Sequence, residues 1–195
     1  MTRTADFYNC FSFFYPVVDV FLKPQKRRLY SEINELPSGR LLEIGLGNGL
    51  HLPLYKTHQI TGIDTSSAML CIAAKRKPEN VELLQMNGES LLFRDGTFDY
   101  VVLSHVIAVV DKPDKLLIEI HRVLKPDGRV FILNHFTPEN WLRFVDKMFQ
   151  PISRLFHFNS VFHIQSLPSI VNFNLIDEIS FGSLSYFKLK IYGKA

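Results

Sequence analysis

From Arg40 to about residue 135, short runs of apolar residues alternate with stretches whose apolar residues recur every three or four positions. No other feature constrains the fold as much. Parallel strands buried on both faces read as continuous apolar runs and need helical crossovers, so the pattern predicts a mostly parallel α/β sheet with helices on both faces. The expected strands are Leu41–Ile44, Ile60–Ile63, Val81–Leu84, Tyr100–Leu103 and Val130–Leu133. Between the last two, Leu116, Leu117, Ile120, Val123 and Leu124 share one helical face, and Pro126-Asp127-Gly128 is expected to stop that helix. Leu175–Phe181 and Tyr186–Tyr192 flank Gly182-Ser183, which predicts a terminal hairpin closing one edge of the sheet. The chain's 195 residues suit one domain with appendages rather than two cores.

Strand 41–44 runs directly into Gly45-Leu46-Gly47-Asn48-Gly49, followed by a short helical stretch from Leu50. A tight strand-to-helix turn needs positive φ, and a ligand approaching the backbone needs the absence of a Cβ; glycine supplies both. The spacing separates the candidate ligands. A dinucleotide loop takes Gly-x-Gly-x-x-Gly, but here the third glycine falls one residue early, at Gly49. A phosphate-binding P-loop would need Lys and then Ser or Thr where the chain has Leu50 and His51. Glu43, in front of the loop, would repel a pyrophosphate and attract a cation, and S-adenosylmethionine carries an ammonium and a sulfonium. Asp64 ends the second strand, 21 residues after Glu43, where a carboxylate can take both ribose hydroxyls. At the end of the third strand, Met86-Asn87-Gly88-Glu89 is placed to face the adenine edge.

With these residues the chain resembles the class I S-adenosylmethionine-dependent methyltransferases over about residues 40–135. The motifs are EIGLGNG at 43–49, TGIDTSSAML at 61–70, FDYVVLSH at 98–105 and RVLKPDG at 122–128. The resemblance implies a Rossmann-like fold, a seven-stranded sheet of order 3-2-1-4-5-7-6 with strand 7 antiparallel. It also implies that Glu43, Gly45, Gly47 and Gly49 cradle the methionine part and that Asp64 holds the ribose. Thr65 and Met69 would then flank the adenosine, while Asn87 and Glu89 reach the base. No metal is expected. The chain divides accordingly into an N-terminal amphipathic helical cap (1–39), a cofactor-binding core (40–135), an aromatic helical insertion (136–165) and a C-terminal hairpin region (166–195).

Methyl transfer from a sulfonium is an in-line displacement, which chiefly requires alignment and exclusion of water. Groups facing the acceptor are expected beyond the strands' carboxyl ends: Ser104, also placed to touch the cofactor, and His105 after strand four, with Asn134 and His135 after strand five. Each histidine reads equally well as a packing residue. Base-modifying nucleic-acid methyltransferases carry an Asx-Pro-Pro-aromatic turn after strand four, and this chain has Leu103-Ser104-His105-Val106. The net charge is only +3, with one short basic cluster at Lys23, Lys26, Arg27 and Arg28, so no nucleic-acid partner is expected.

Segments 1–39 and 136–165 hold 11 of the 17 phenylalanines, which demands a reason. Phe7, Phe11, Phe14, Val18 and Phe21 recur at helical spacing just before the basic cluster, a pattern suited to an anionic membrane interface. Trp141, Phe144, Val145, Met148, Phe149 and Ile152 form a second apolar face with Arg143 and Lys147 between them. Both faces could instead pack on the sheet as caps over the cleft, and the two roles can coexist. LPLY at 52–55, SHVIAVVDKP at 104–113, Asn134-His135-Phe136 and PISRL at 151–155 are similar to the bacterial phosphatidylethanolamine N-methyltransferases. These are peripheral membrane proteins that methylate the lipid headgroup amine toward phosphatidylcholine.

That likeness implies a lipid or amphiphilic acceptor and contact with an anionic membrane. Tyr8 and Tyr15 could then hold the ammonium by their π faces, and His105 or His135 could take its proton. Two other readings stay open: a quinone-like or other small-molecule acceptor, and a non-catalytic binding module on the same fold. Cys10 and Cys71 have no disulfide or metal spacing, which points to a reducing compartment. The most apolar stretch, Phe11 to Leu22, is broken by Pro16 and Asp19, too short to span a bilayer, and without a cleavage site. A cytoplasmic protein is expected, peripheral on the inner face of the membrane if the lipid reading holds.

Overall fold

A computed structural model describes residues 15–136, 163–181 and 187–195, with side chains from residue 24 onward. Strands β1 (Arg40–Ile44), β2 (Gln59–Asp64), β3 (Val81–Gln85), β4 (Phe98–Ser104) and β5 (Leu124–His135) run parallel. The antiparallel pair β6 (Phe173–Ser180) and β7 (Phe187–Lys194) joins the edge through β7, giving the order β3-β2-β1-β4-β5-β7-β6. This is the seven-stranded, mostly parallel sheet that the motifs implied. Helices α1 (Tyr15–Asn34), α2 (Ser67–Ala74) and α3 (Pro113–Val123) cover it.

Side chains on a strand alternate between faces, and here the alternation divides the core in two. Leu41, Val102, Phe131 and Leu133 pack with Leu29, Tyr30 and Ile33 of α1 and Ala73 of α2. Their neighbours Leu42, Val101, Val130 and Ile132 pack with Leu116, Leu117, Ile120 and Val123 of α3. Leu29 and Ile33 are fully buried, and each stabilises the docking of α1 by about 2 kcal/mol on apolar area alone. Helix α3 has Pro113 and Asp114 in its first turn and His121 and Arg122 in its last, an arrangement that complements the helix dipole.

Four expectations need correction or qualification. Helix α3 ends at Val123, and Leu124 opens β5, so Pro126-Asp127-Gly128 lies within the strand instead of stopping the helix. Phe98 pairs with Leu124 and Tyr100 with Arg129, so the extra β5 residues form a bulge that accommodates a proline without an N–H. At Gly128 a Cβ would lie 2.6 Å from Leu124 Cγ and 3.0 Å from the Asp99 carbonyl, which explains the glycine. The helical stretch after the glycine loop is a single 3-10 turn, Leu52–Leu54, with Pro53 as its second residue. The terminal strands each begin two residues from the expected position or closer, and Gly182-Ser183 lies outside the described residues. So do Phe7, Tyr8, Cys10, Phe11, Phe14 and the apolar face from Trp141 to Ile152, as well as the side chains of Tyr15, Val18, Phe21 and Lys23.

Candidate active site

The glycine loop leaves β1 and is clipped to β2 at once, since the N–H groups of Gly45 and Leu46 both donate to the Ile63 carbonyl, at 2.8 and 3.0 Å. Gly45, Gly47 and Gly49 take φ of 71°, 62° and 66°, the left-handed region in which a side chain is strained. The three differ in what surrounds them. A Cβ on Gly45 would lie 2.3 Å from Val106 Cγ2, and one on Gly49 would lie 2.8 Å from Ala73 Cβ, so both glycines permit close packing. A Cβ on Gly47 would meet nothing within 4 Å, because it would project into open space.

That space is a cavity of about 880 Å3 including its open mouth, at the carboxyl ends of β1 to β4. Asp64 forms part of its wall. Its Oδ2 accepts from Gly47 N at 2.8 Å and its Oδ1 from Ser66 N at 2.9 Å, leaving lone pairs on both oxygens for a ligand. Burial raises the Asp64 pKa above the ordinary aspartate value, against the opposing pull of the backbone N–H groups of Ser66, Gly47 and Thr65. Ser66 also caps α2 by accepting from Met69 N, which points that helix's first turn and Met69 at the cavity. Asn87 accepts from Glu89 N at 2.9 Å, and Glu89 Oε1 accepts from Lys112 N at 2.9 Å, which ties the floor after β3 to the loop after β4.

The cavity's charge is one-sided. Asp64, Glu89 and Asp111 line it, and among the described residues no Lys or Arg does. Such a site favours a cation and disfavours a diphosphate, the distinction that the glycine spacing drew. Met69, Met86, Val106 and Val109 supply apolar walls that exclude water. At the end of β4, Ser104 Oγ is buried within the lining and has no hydrogen-bond partner among the described residues, so it is available to a ligand. His105 follows with φ of 61°, held by its N–H donating to the Leu133 carbonyl at 2.8 Å. A non-glycine residue in this region costs about 1–2 kcal/mol, and such strain concentrates at functional positions.

The structure therefore gathers Gly45, Gly47, Asp64, Thr65, Met69, Asn87, Glu89, Ser104 and His105 around one cavity. Two residues expected to cradle the ligand lie elsewhere. Glu43 is turned by strand alternation to the α1 face, 1% exposed, and Gly49 packs on Ala73 and Leu52 outside the lining. His135 is also outside the lining; its ring and that of His105 both make edge-to-face contacts with Phe187, with centroids 5.9 and 5.5 Å away. Met86, read with the segment after strand three, also lines the cavity, whereas Ser66 and Asp111 were not legible as site residues. Only Ser66 carried a sequence signal, its capping position before α2.

These features fit S-adenosylmethionine: carboxylates for its positive charges and ribose, a backbone open at Gly47, and an unclaimed hydroxyl at Ser104. Comparison with known proteins agrees. Residues 42–132 match the family model described as a methyltransferase domain. The chain is 35% identical over 162 residues to a phosphatidylethanolamine N-methyltransferase of Cereibacter sphaeroides, covering 78% of each. It is 36% identical over 110 residues to the ubiquinone/menaquinone biosynthesis C-methyltransferase UbiE of Haemophilus ducreyi, covering 54% of this chain and 39% of that one. A SAM-dependent methyltransferase of Thermotoga maritima shares the fold, with a TM-score of 0.69 at 23% identity over 96% of this chain and all of that one.

The fold and the cavity are those of an enzyme that transfers methyl groups from S-adenosylmethionine. The chain belongs to the class I S-adenosylmethionine-dependent methyltransferases.

Proposed function

We propose that this methyltransferase N-methylates phosphatidylethanolamine headgroups, toward phosphatidylcholine, at the surface of an anionic membrane. The observation that carries the reading is the extent of the likeness to the C. sphaeroides enzyme. The alignment, 162 residues and 78% of this chain, far exceeds the roughly 96 residues of the cofactor core, so the similarity extends beyond that core and supports a shared acceptor. The 110 residues shared with the quinone enzyme scarcely exceed that core.

S-adenosylmethionine, when bound, supplies a methyl group made electrophilic by its cationic sulfur. The chain's own residues have four tasks. Asp64, Glu89 and Asp111 hold positive charge, and the methionines and valines keep water out. Phe187 fixes the His105 ring at the cavity wall by edge-to-face contact. His105, and His135, which also contacts Phe187, are the groups proposed to take the proton that an ammonium must lose before its nitrogen can attack.

The membrane contact is proposed for α1. Leu29, Tyr30 and Ile33 dock that helix on the sheet, while Arg27 and Arg28 remain exposed on its solvent side and could meet anionic headgroups. Among the described residues, no helix is long and apolar enough to cross a membrane. A peripheral position on the cytoplasmic face accords with this reading.

The test is incubation with methyl-labelled S-adenosylmethionine and vesicles of phosphatidylethanolamine, with and without phosphatidylglycerol, beside demethylmenaquinone in detergent. Label on the ethanolamine nitrogen, increased by the anionic lipid and reduced by salt, is the expected result. Label on the quinone ring and none on the lipid would replace this reading with the small-molecule one. Binding of S-adenosylhomocysteine without transfer to any acceptor in a wider panel of amines and thiols would favour the binding module.

A further inference from the structure

Behind the glycine loop, on the face away from the cavity, lies a buried polar cluster that the methyl-transfer chemistry leaves unexplained. Glu43 is its centre. Tyr55 donates its hydroxyl to Glu43 Oε2 at 3.0 Å, and His51 Nε2 lies 2.7 Å from Glu43 Oε1. The His51 ring stacks on Tyr30 of α1, with centroids 5.4 Å apart and planes 7° from parallel, and Tyr55 meets Tyr30 edge-on at 4.9 Å. Burial first, and then the Glu43 charge, push the Tyr55 phenol well above its ordinary pKa, so it stays a neutral donor. A buried carboxylate is costly unless its oxygens are engaged, so the cluster holds Glu43 in place and Glu43 holds the cluster.

The same segment is fastened to α1 at two more points. Asn34, the last residue of α1, donates from Nδ2 to the Leu54 carbonyl at 2.8 Å and accepts from Lys56 N at 3.0 Å. His58 Nε2 is 2.9 Å from the Ile33 carbonyl, with its imidazole buried. Residues 51–58 thus form a bracket between the end of α1 and the base of the glycine loop, while Glu43 sits two residues before Gly45.

The geometry points to Glu43, His51, Tyr55 and Tyr30 as a positioning lock. It fixes the path of the glycine loop from behind and joins that path to α1, so that the cofactor half of the site is assembled only when α1 is docked. These are positioning residues, because none of them lines the cavity. The inference concerns donor binding and stands whichever acceptor the enzyme uses.

The test compares Tyr55→Phe and His51→Leu with Tyr100→Phe as control. Tyr100 is also buried and donates its hydroxyl to a backbone carbonyl, Pro37 at 3.1 Å, but its hydroxyl lies outside the lock. Calorimetry with S-adenosylhomocysteine should show Kd raised roughly tenfold in each lock variant, equivalent to about 1.4 kcal/mol. The donor KM should rise with it, while kcat at saturating donor and the acceptor KM stay within about twofold of wild type. Hydrogen exchange of the amides from Gly45 to Leu50 should accelerate in the lock variants and not in Tyr100→Phe. Lock variants that lose thermal stability but keep the wild-type Kd and loop exchange would overturn the proposal. An equal rise in Kd in Tyr100→Phe would overturn it too, by showing that any loss of stability has that effect.

Discussion

At the scale of single residues, Gly45 and Gly47 share a backbone conformation and differ in what a methyl group would touch. Both would strain an alanine at positive φ, at about 1 kcal/mol. Gly45→Ala would add a collision with Val106, so a markedly lower Tm is expected, read by thermal denaturation without ligand. Gly47→Ala has open space around the new Cβ, so its Tm should fall little while its affinity for S-adenosylhomocysteine drops about tenfold or more. Equal effects of the two substitutions on Tm and affinity would contradict this placement of the loop. The glycine spacing was legible in the sequence because a turn's φ requirement leaves a compositional trace. The destination of Glu43 was not, because the side of a sheet that a residue faces depends on what covers it. An acid before a glycine loop reads as a ligand group, and only the tyrosine and histidine folded back from residues 51–55 show it turned away.

At the scale of elements, Arg122 ties the last turn of α3 to the loop after β3. Its guanidinium donates to both Glu119 oxygens, to Asp95 Oδ1 at 2.8 Å, and to the Phe93 and Leu91 carbonyls at 2.7 and 2.9 Å. Glu119 in turn accepts from Leu91 N at 2.7 Å. Arg122→Ala leaves two carbonyls and two carboxylates short of donors, and a loss of about 2 kcal/mol is expected, or roughly 4–8 °C in Tm. The hydrogen bonds from Arg122 hold the Glu119 carboxyl below its usual pKa. A carboxylate with a depressed folded pKa adds stability above its unfolded pKa and loses it as pH falls through the folded one. The gap in Tm between wild type and Arg122→Ala should therefore narrow as the pH drops below about 4.5. A gap that stays constant down to pH 3 would assign the loss to the carbonyl contacts and the packing of the arginine stem instead of the ion pair. The clamp eluded sequence reasoning because RVLKPDG reads as the end of a helix. The same feature hid the β5 bulge: residues that break helices also serve at irregularities in strands, and only the pairing of Phe98 with Leu124 distinguishes the two.

At the scale of the whole molecule, the sheet order was legible because each central strand is an apolar run bounded by turn residues, and because the cofactor motifs occur in a fixed order along it. The acceptor side was less so. Phe187 reaches the His105 ring from β7, more than 80 residues further along the chain, and it was hidden in a strand read only as the edge of a hairpin. The cavity draws on four strand ends and the loop after each, so a ligand there should bind the folded chain alone. S-adenosylhomocysteine at a hundred times its Kd should stabilise the protein by about 2.7 kcal/mol, a rise in Tm on the order of 5–11 °C by calorimetry. Asp64→Ala should abolish most of that rise. Persistence of the full shift in that variant would place the ligand elsewhere.

The one-signed lining of the cavity bears on how the enzyme renews itself between catalytic cycles. Three acidic side chains greet an incoming donor that carries an extra positive charge, and the spent thioether left behind has lost that charge. Such a lining attracts the charged sulfur of the donor more than the neutral sulfur of the by-product, a bias that the two Kd values, measured side by side, would reveal.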